Sequence, residues 1–509
     1  MNWIVKIGVV YVIEDETRDK GAVLERCVQA VTEGRPGYPA VAQFAVICHG
    51  ESAVSTEQEL VRFVCRTAYD DLPPSTLATI RNQILTVLGT TIAGSTQAGC
   101  QALIHFYRSQ GGKEEASILI HGGRIPAQTA ALVNAVMARA LDFDDALTPG
   151  VHIGASTVPA ALAAAELHGG MDGREFLTAL VVGAEAGVRL NLTEAAYNGL
   201  DPTGICTVFA AAATASRVLG LSEEETWNAL ALAFNRAGGS FQSNIDGSLA
   251  VRVIQGWVAE SGVMCARLAR AGITGPKNFL DGVYGYYNVY GRGLVDPRRA
   301  LADMGSRFEC EKILFKKYPS CGLTLGSTEL ILNLMREEEG SGVSADKVAK
   351  VKVRVPPYTY KLVGHPFEMG ATPRVNAQFS IRYCVANALH RGSSKLAHFE
   401  EDAIRHPKVL ELAGRVDVVV DPAMEPRGHT PVDMTVTLKD GREFFRQIDI
   451  APGFPGNPLS KEEQEARFRD CIAYAEKPLN KEKVDGIVEG VSHIERLGDV
   501  RALIPLLLL

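Results

Sequence analysis

Between Ser55 and about residue 315, the chain is an almost continuous succession of segments that favour helix and are rich in alanine and glycine. Alanine has the highest helix propensity, and small side chains allow neighbouring helices to approach closely. The first helix is expected to start at Ser55, because Gln58 three residues later gives a pattern like a capping box. This stretch predicts a layer of packed helices. The later segments expected to be helical are 76–93, 127–140, 159–167, 173–190, 207–218, 222–234 and 256–271.

Beyond Lys316 the pattern changes to alternation. Residues 348–355 read Val-Ala-Lys-Val-Lys-Val-Arg-Val, which is typical of a strand with one buried face. Strands are also expected at 416–420 and within 432–450, where Lys439-Asp440-Gly441-Arg442 is typical of a hairpin turn. The segments expected to be helical in this part of the chain are 324–335, 379–389 and a charged amphipathic helix at 460–475.

A chain of 509 residues exceeds the size of a single hydrophobic core, so we expect at least two domains. The predicted fold class is mainly α with an α+β second domain. The large all-helical domain is expected to span 54–314 and to be completed by 453–509, and the smaller α/β domain to span 315–452. Residues 1–53 have poor helical periodicity and are interpreted as an N-terminal extension of uncertain structure.

Charge and cysteine spacing argue against several classes of protein. The net charge of −7 argues against nucleic-acid binding, and no apolar run has the length of a membrane span. The ten cysteines include no Cys-x-x-Cys pair, so neither an iron–sulfur cluster nor a zinc site is expected. A phosphate-binding loop is also absent from the sequence, which predicts no nucleotide cofactor. We therefore expect a cytoplasmic protein with no metal, no nucleic acid and no membrane partner.

The sequence Leu141-Asp142-Phe143-Asp144-Asp145, followed by His152, gathers three carboxylates and an imidazole where one helix ends and the next begins. If the first helix continued this far, Asp142 and Asp145 would share a face, and Pro149-Gly150 would end it. Pro159 is expected in the first turn of the next helix. A carboxylate beside an imidazole is typical of general acid–base catalysis. The alternative is that the aspartates are solvated and the histidine is a hydrogen-bonded core residue.

A second group of polar residues lies at the expected domain boundary. Lys316 and Lys317 are followed by a helix start near Cys321, and the free amide groups of a helix N-terminus attract anions. This corner is therefore expected to hold a carboxylate. The same field would lower the pKa of the Cys321 thiol, although an inert buried thiol is the simpler interpretation. Farther along, Tyr383 is a candidate proton donor, or a packing residue.

The order of these segments resembles that of the MmgE/PrpD family, which includes 2-methylcitrate dehydratase, cis-aconitate decarboxylase and iminodisuccinate epimerase. The likeness covers most of residues 55–475. It rests on Ala140-Leu141-Asp142-Phe143-Asp144-Asp145, Val158-Pro159-Ala160-Ala161-Leu162-Ala163-Ala164-Ala165-Glu166, Gly256-Trp257-Val258-Ala259-Glu260-Ser261-Gly262-Val263, Gly272-Ile273-Thr274-Gly275-Pro276, Lys317-Tyr318-Pro319-Ser320-Cys321 and Ala377-Gln378-Phe379-Ser380-Ile381-Arg382-Tyr383. The resemblance implies a helical domain built from both ends of the chain, an α/β lid, a cleft between them and a homodimer. It also implies activity on small di- and tricarboxylates without metal or organic cofactor.

Carried over residue by residue, the resemblance implies four catalytic residues, namely Asp142, His152, Lys316 and Tyr383. We expect His152 to act as base or acid with Asp142 orienting it, Lys316 and the helix start to hold a carboxylate, and Tyr383 to donate from the lid. The residues expected to bind the substrate beside them are Asp145, Asp201, Arg252, Lys317 and Cys321.

Four positions depart from the family pattern. Ala146 stands where relatives often have threonine, Asp201 where histidine is common and Val251 where lysine is frequent, while Cys321 occupies a position that is histidine in the decarboxylases. These changes remove positive charge from the expected pocket, and every desolvated carboxylate needs a partner. We therefore expect a substrate with fewer carboxylates or a partly apolar one, unless a neighbouring cation such as Arg252 substitutes.

The chemistry that this set of residues suggests is proton removal from carbon next to a carboxylate. The first hypothesis is a lyase of the 2-methylcitrate dehydratase type, with which Cys321 is compatible. The alternatives are an epimerase or racemase, a decarboxylase of a related carboxylate, and a carboxylate-binding paralogue that has lost catalysis. Ala146, Asp201 and Val251 motivate the last of these.

Overall fold

A computed structural model describes residues 54–337, 342–370 and 372–509, together with the backbone of two short N-terminal strands. The chain divides into two units, Met1–Val54 and Ser55–Leu509. In the first unit, strands Val5–Lys6 and Val9–Val10 pair antiparallel. The rest of the N-terminal extension expected at 1–53 lies outside the described residues.

Helices form the larger part of the second unit. Ser55 is the N-cap of the first helix and accepts a hydrogen bond from the amide of Gln58, which confirms the expected helix start. The principal helices are Thr56–Arg66, Pro74–Gly94, Cys100–Gln110, Ala127–Arg139, Gly154–His168, Gly173–Arg189, Pro202–Val218, Glu223–Phe234 and Ala250–Arg270, followed near the end of the chain by Lys461–Tyr474 and Lys481–Ser492. Short helices lie at Glu194–Tyr197, Gln242–Ile245 and Pro297–Ala300.

Small residues allow the central helices to cross closely. A Cβ atom added to Gly183 would lie 1.8 Å from Oγ1 of Thr214, and one added to Gly262 would lie 2.5 Å from Cβ of Ala211. Neither glycine could be replaced by a larger residue without moving a neighbouring helix. The alanine and glycine content that predicts a packed helical layer is therefore used at specific crossings.

Two expectations about helix ends were wrong. The helix that was expected to begin at Pro159 begins at Gly154, so the proline lies inside it rather than in its first turn. The helix before the acidic segment ends at Arg139, so Asp142 and Asp145 lie in a loop and do not share a helical face. Residues 140–153 form this loop, which we call the acidic loop.

A four-stranded sheet forms the second part of the unit, with the strand order Glu443–Ile448, Val432–Leu438, Val348–Val355, Val416–Val420. The first two neighbouring pairs are antiparallel and the last is parallel. Val353 pairs with Met434 on one side and Val418 on the other, and these three side chains are buried. The strands lie where the alternating valines predict them. Helices Leu325–Arg336, Pro357–Val363, Pro373–Gln378, Ile381–Arg391, Glu401–Ile404 and Pro407–Ala413 accompany the sheet.

The apolar residues form two main cores. The first contains residues from 60–315 and from 459–507, and the second contains residues from 318–451. A small third cluster of Ala93, Leu141, Phe143, Leu396 and Cys471 lies apart from both. The protein is thus mainly helical with small sheets. Within the part of the chain that the structure describes, no helix has the length and apolar character needed to cross a membrane.

Candidate active site

A short strand pair brings the acidic loop next to the residues that precede the second core. Asp145–Ala146 pairs antiparallel with Leu314–Phe315, in the register Asp145 to Phe315. Lys316 follows at once, and its Nζ donates to the carbonyl oxygen of Asp142 at 2.6 Å. Segments about 170 residues apart in the chain therefore meet here. We call the group of Asp142, Asp144, Asp145 and His152 the carboxylate cluster.

Asp142 is the most exposed side chain in its ion-pair network, with 24% of its surface accessible against 6% for Lys316 and 10% for Arg139. Its backbone adopts a left-handed conformation, with φ of 52°. One carboxylate oxygen lies 2.7 Å from the Arg139 guanidinium, and the other lies 3.1 Å from Lys316 Nζ. Burial alone would raise the pKa of Asp142, but Lys316, Arg139 and His152 together hold it well below its usual range.

Asp144 holds the imidazole of His152. Nδ1 of His152 lies 3.0 Å from Oδ2 of Asp144, while Nε2 lies 3.7 Å from Asp142. Burial alone would raise the pKa of Asp144, but His152 and Arg139 lower it, so this carboxylate is charged. The expectation that Asp142 orients the ring is therefore corrected: the orienting carboxylate is Asp144, which the sequence did not single out from its neighbours.

The main chain of His152 is also fixed. Its amide donates to Thr203 Oγ1 at 3.1 Å, and its carbonyl accepts from Gln255 Nε2 at 2.7 Å. Gln255 also donates to Ser156 Oγ. Two helices, Pro202–Val218 and Ala250–Arg270, therefore hold the main chain of the histidine at its amide and at its carbonyl.

Asp145 does not face a binding site. It is fully buried, and its Oδ2 accepts from Gln83 Nε2 and from the amide of Gly154, each at 2.9 Å. Burial and the charge of Asp144 raise the pKa of Asp145. The predicted role in substrate binding is therefore replaced by a structural one, because this carboxyl group holds the start of the helix Gly154–His168.

Asp201 is also occupied by its own surroundings. It is the N-cap of the helix Pro202–Val218, where Oδ1 accepts from the amides of Thr203 and Gly204. Its Oδ2 accepts from Asn244 Nδ2 at 3.2 Å. Since both oxygens are used, the expected contact with a substrate is not supported, and the departure from histidine at this position is explained by capping.

Lys317 lies away from the cluster. Its Nζ is 2.9 Å from Glu329 and 2.7 Å from Glu463, so it links the helices Leu325–Arg336 and Lys461–Tyr474. Its expected part in substrate binding is therefore corrected to an ion-pair contact between two helices.

Cys321 lies within the electrostatic influence of Lys316 and Asp142. Burial raises the pKa of the Cys321 thiol to about 11 and outweighs the lowering by the Leu323 amide and Lys316, so the thiol is neutral and the interpretation as an inert thiol describes it. The segment after it forms a 3₁₀ turn, Gly322–Thr324, before the helix Leu325–Arg336 begins. The Cys321 amide donates to the carbonyl of Gln378, whose side chain donates in turn to Pro319.

Tyr383 is packed in the second core. It is fully buried, its ring lies 5.2 Å from that of Phe367 and 5.5 Å from that of Phe399, and its hydroxyl donates to the carbonyl of His398. The structure therefore does not bring this phenol to the carboxylate cluster. The packing interpretation, which the sequence left open, describes it.

Two arginines of the site were missed. Arg139, in the last turn of its helix, pairs with Asp142, and this spacing of three residues was a signal that could have been used. Arg467 is buried and donates to the carbonyl of Lys316 at 2.6 Å, to Thr86 Oγ1 at 2.8 Å and to the carbonyl of Phe143. No local pattern marks Arg467, because its partners are 151 to 381 residues distant.

The donor set could in principle hold a metal ion, since ligand atoms of Asp142, Asp144 and His152 lie within 4.8 Å of one another. However, Lys316 and Arg139 already neutralise Asp142 and would repel a divalent cation. These residues fit proton transfer and anion binding better than they fit a metal.

A separate cleft of about 670 Å³ is lined by Arg189, Arg299, Arg307, Glu309 and Lys312, among others, and by none of the residues of the carboxylate cluster. Arg307 and Lys312 both pair with Glu309. Arg189 pairs with Glu185, and Arg299 lies 3.9 Å from Asp296, so each of these four cations has a carboxylate partner.

Comparison with known proteins agrees with the resemblance. Residues 58–296 match the MmgE/PrpD N-terminal domain, and residues 318–491 match the MmgE/PrpD C-terminal domain. The chain belongs to the MmgE/PrpD family.

Curated relatives of the chain are enzymes. It is 28% identical over 394 residues to human cis-aconitate decarboxylase, covering 75% of this chain and 80% of that protein. It is 24% identical over 473 residues to the cis-aconitate decarboxylase-like protein oryM of Aspergillus oryzae, covering 88% and 96%. It is 26% identical over 254 residues to 2-methylcitrate dehydratase of Cupriavidus necator, covering 48% and 51%.

Proposed function

We propose that the protein is a cofactor-independent lyase that acts on a small di- or tricarboxylate by proton transfer at the carbon next to a carboxylate. The observation that carries this proposal is the imidazole of His152, held at Nδ1 by Asp144 and flanked at Nε2 by the ion-paired Asp142. This is the geometry that a general base requires.

The protonation states follow from the contacts. Asp144 is charged, so its Oδ2 can only accept the hydrogen bond from Nδ1 of His152. We therefore assign the proton of neutral His152 to Nδ1, which leaves a lone pair on Nε2. The 3.7 Å between Nε2 and Asp142 is longer than a hydrogen bond, so this nitrogen is free to accept a proton from a substrate. The imidazolium that forms is stabilised by both aspartates.

Lys316 supplies positive charge at the same place. Its ammonium group is 6% exposed and lies 3.1 Å from Asp142. A substrate carboxylate beside it would share this charge, and the negative charge that develops on that carboxylate as the proton leaves would be stabilised. In this proposal Asp142 holds the ammonium group, and Tyr383 has no part.

Dehydration is the first form of the reaction. Nε2 of His152 takes the proton, the C–H electron pair forms the C=C bond, and the C–O bond on the neighbouring carbon breaks. The departing hydroxide takes this proton from the imidazolium and leaves as water, which restores neutral His152. Cys321 favours this form, because the family's decarboxylases have histidine there and a neutral thiol with a pKa of about 11 is a weak proton donor.

Decarboxylation is the second candidate, and the comparisons favour it. Proteins named cis-aconitate decarboxylase match over 75% or more of this chain, whereas the 2-methylcitrate dehydratase of Cupriavidus necator matches over 48%. In this form His152 starts as the imidazolium, having taken a proton from water. The C–C bond to a carboxylate breaks, carbon dioxide leaves, and the carbon that keeps the electron pair takes the proton from Nε2 of the imidazolium.

The test is proton NMR of the purified protein in heavy water with citrate, malate, succinate and cis-aconitate. A new alkene from citrate or malate supports dehydration, and carbon dioxide with a decarboxylated product from cis-aconitate supports decarboxylation. Deuterium exchange without net product would replace both by an epimerase.

A matched pair of variants makes this test specific. His152→Ala should abolish the reaction, whereas His105→Ala, on the exposed face of the helix Cys100–Gln110, should leave it unchanged. Ligand binding without any turnover, or turnover that survives His152→Ala, would contradict the proposal. The homodimer remains a prediction, and sedimentation velocity checks it.

A further inference from the structure

Two arginines from distant segments bind neighbouring residues of one short turn. Arg252, in the helix Ala250–Arg270, donates from one terminal nitrogen to the carbonyl of Ala98 at 2.8 Å. Arg374, in the helix Pro373–Gln378, donates to Oε1 of Gln97 at 2.9 Å. Because Gln97 and Ala98 are adjacent, the two guanidinium groups lie near each other. Arg252 belongs to the helical part of the chain, whereas the helix of Arg374 accompanies the sheet.

Backbone packing supports this arrangement. A Cβ atom added to Gly247 would lie 3.2 Å from the methyl group of Thr372, and one added to Gly99 would lie 3.0 Å from the side chain of Leu249. The turn before Arg252, the turn that contains Gly99 and the residue at the start of the Arg374 helix therefore touch one another. These contacts bring the segments that carry the two arginines next to each other.

The charges at this place are incompletely balanced. Arg252 is partly buried and pairs with no carboxylate among the residues that the structure describes. Arg374 pairs with the half-exposed Glu400 at 3.0 Å and donates to the Tyr474 hydroxyl at 2.8 Å, whereas its Nε is buried without a hydrogen-bond partner. Burial, and then the charges of Arg139 and Arg374, lower the pKa of Arg252, with the Cys100 thiol opposing them. Such a site is favourable for an anion that would supply the missing partner.

The arginine pair also lies beside the carboxylate cluster. The amide of Gln97 donates to the carbonyl of Gly94, and a Cβ atom added to Gly94 would lie 3.1 Å from Cβ of Ala140. The neighbouring Arg139 is 2.7 Å from Asp142. One cationic region, Lys316 and Arg139, therefore lies next to the proton-transfer residues, and a second, Arg252 and Arg374, lies beside the first. A short molecule with two acidic groups is the class of ligand that matches this arrangement.

We propose that Arg252 and Arg374 form a subsite for a second carboxylate of the substrate, the one that does not take part in proton transfer. This inference rests on the proposed function and assigns the residues that hold the second carboxylate in a chain that has valine, and not lysine, at position 251. Guanidinium groups suit the role because their planar donors match a carboxylate. A bound carboxylate would join a helix of the first core to a helix beside the second.

The experiment is calorimetric binding of tricarballylate, glutarate and butyrate to the full chain. Arg252→Gln and Arg374→Gln should each weaken the binding of tricarballylate and glutarate by about 10- to 100-fold, as expected for loss of a charge-assisted contact, while butyrate binding stays within about twofold. Arg391→Gln is the matched control, because Arg391 is also partly buried and donates to a backbone carbonyl and to Asn387. It should leave all three probes unchanged.

The failure of this proposal can be told apart from failure of the proposed function. If Arg252→Gln lowers turnover but leaves the binding of tricarballylate and glutarate unchanged, the subsite is wrong while the lyase stands. If the probes behave as expected but no acid is turned over, the subsite stands and the lyase is wrong. Wild-type protein that binds neither polycarboxylate at millimolar concentration, or equal losses for all three variants, would overturn the subsite. Should Arg252→Gln not fold, Arg252→Lys keeps the charge without the planar donors, and about a three- to tenfold loss is expected.

Discussion

Replacing Arg467 by methionine should destabilise the protein by about 3 kcal/mol, because this side chain joins three separate segments at the site. Its guanidinium group donates to the carbonyls of Lys316 and Phe143 and to Thr86 Oγ1, and it lies 4.0 Å from the centre of the Phe143 ring. Methionine keeps much of the side-chain length but none of these donors.

The magnitude follows from those contacts. Each carbonyl that loses its charged donor in a buried place costs about 1–2 kcal/mol, and loss of the contact with the aromatic ring costs about as much again. Against this, keeping the charged guanidinium group of Arg467 away from water has a cost, which is also why burial lowers its pKa. Replacement by methionine removes that cost. About 3 kcal/mol remains on balance, which is a large fraction of the stability of an ordinary domain.

Urea unfolding followed by circular dichroism measures the effect, and the same helix offers a control. Arg469, two residues along, is 42% exposed and pairs with Glu465 and Asp485 at the surface. Exposed ion pairs contribute about 0–1 kcal/mol, so Arg469→Met should shift the unfolding midpoint only slightly. If Arg467→Met unfolds at the same urea concentration as Arg469→Met, the buried arginine does not hold the site together as we describe.

Three further predictions concern single residues. Asp144→Asn should lower kcat by about 10²- to 10⁴-fold with little change in KM, because the amide no longer fixes the imidazole tautomer, and initial rates on the substrate identified by NMR check this. Because the pKa of Asp145 is raised in the folded protein, its contribution to stability falls as the pH rises above the ordinary value of about 4. Asp145→Asn should therefore gain stability relative to wild type as the pH rises, and plots of unfolding free energy against pH that run parallel for the two proteins would contradict this. Gly453→Ala should lower the free energy of unfolding by at least about 2 kcal/mol, because its φ is 86° and the new Cβ would lie 1.8 Å from the carbonyl oxygen of Phe315. Gly441→Ala is the control, since its φ is 88° but no atom lies within 4 Å of the new Cβ, and it should lower that free energy by about 1 kcal/mol. Thermal unfolding measures both.

Local patterns predict much of this fold. The alternating valines of 348–355 give a strand with the predicted bounds, and the Lys439–Arg442 turn separates two antiparallel strands as expected. Both patterns involve residues that are close together in sequence. In the strand, alternating apolar side chains determine which face of the sheet is buried. The alanine-rich helices were predicted for the same reason, although several begin a few residues earlier than their apolar pattern does.

The site was harder to predict, because its contacts are between distant residues. Asp142 and Asp144 are two positions apart and chemically identical, and only the left-handed backbone at Asp142 and the strand pairing of Asp145 decide which one meets Nδ1 of His152. Asp201 lies two residues before Thr203, whose hydroxyl accepts from the His152 amide, but its own carboxylate is used as a helix cap. Side-chain type suggested the chemistry, whereas the roles of individual residues depended on tertiary structure.

The contact between Arg467 and Phe143 has a consequence for how the protein is made. The two residues are 324 positions apart, so the acidic loop receives this hydrogen bond only after the whole sheet has left the ribosome. Contacts of such long range slow folding, because the intervening chain must be ordered before they form. Until then the acidic loop of the nascent chain lacks the hydrogen bond from Arg467 to Phe143. We therefore expect catalytic competence to arise late during synthesis, when the helix Lys461–Tyr474 docks, and not gradually as each helix of the first core is completed.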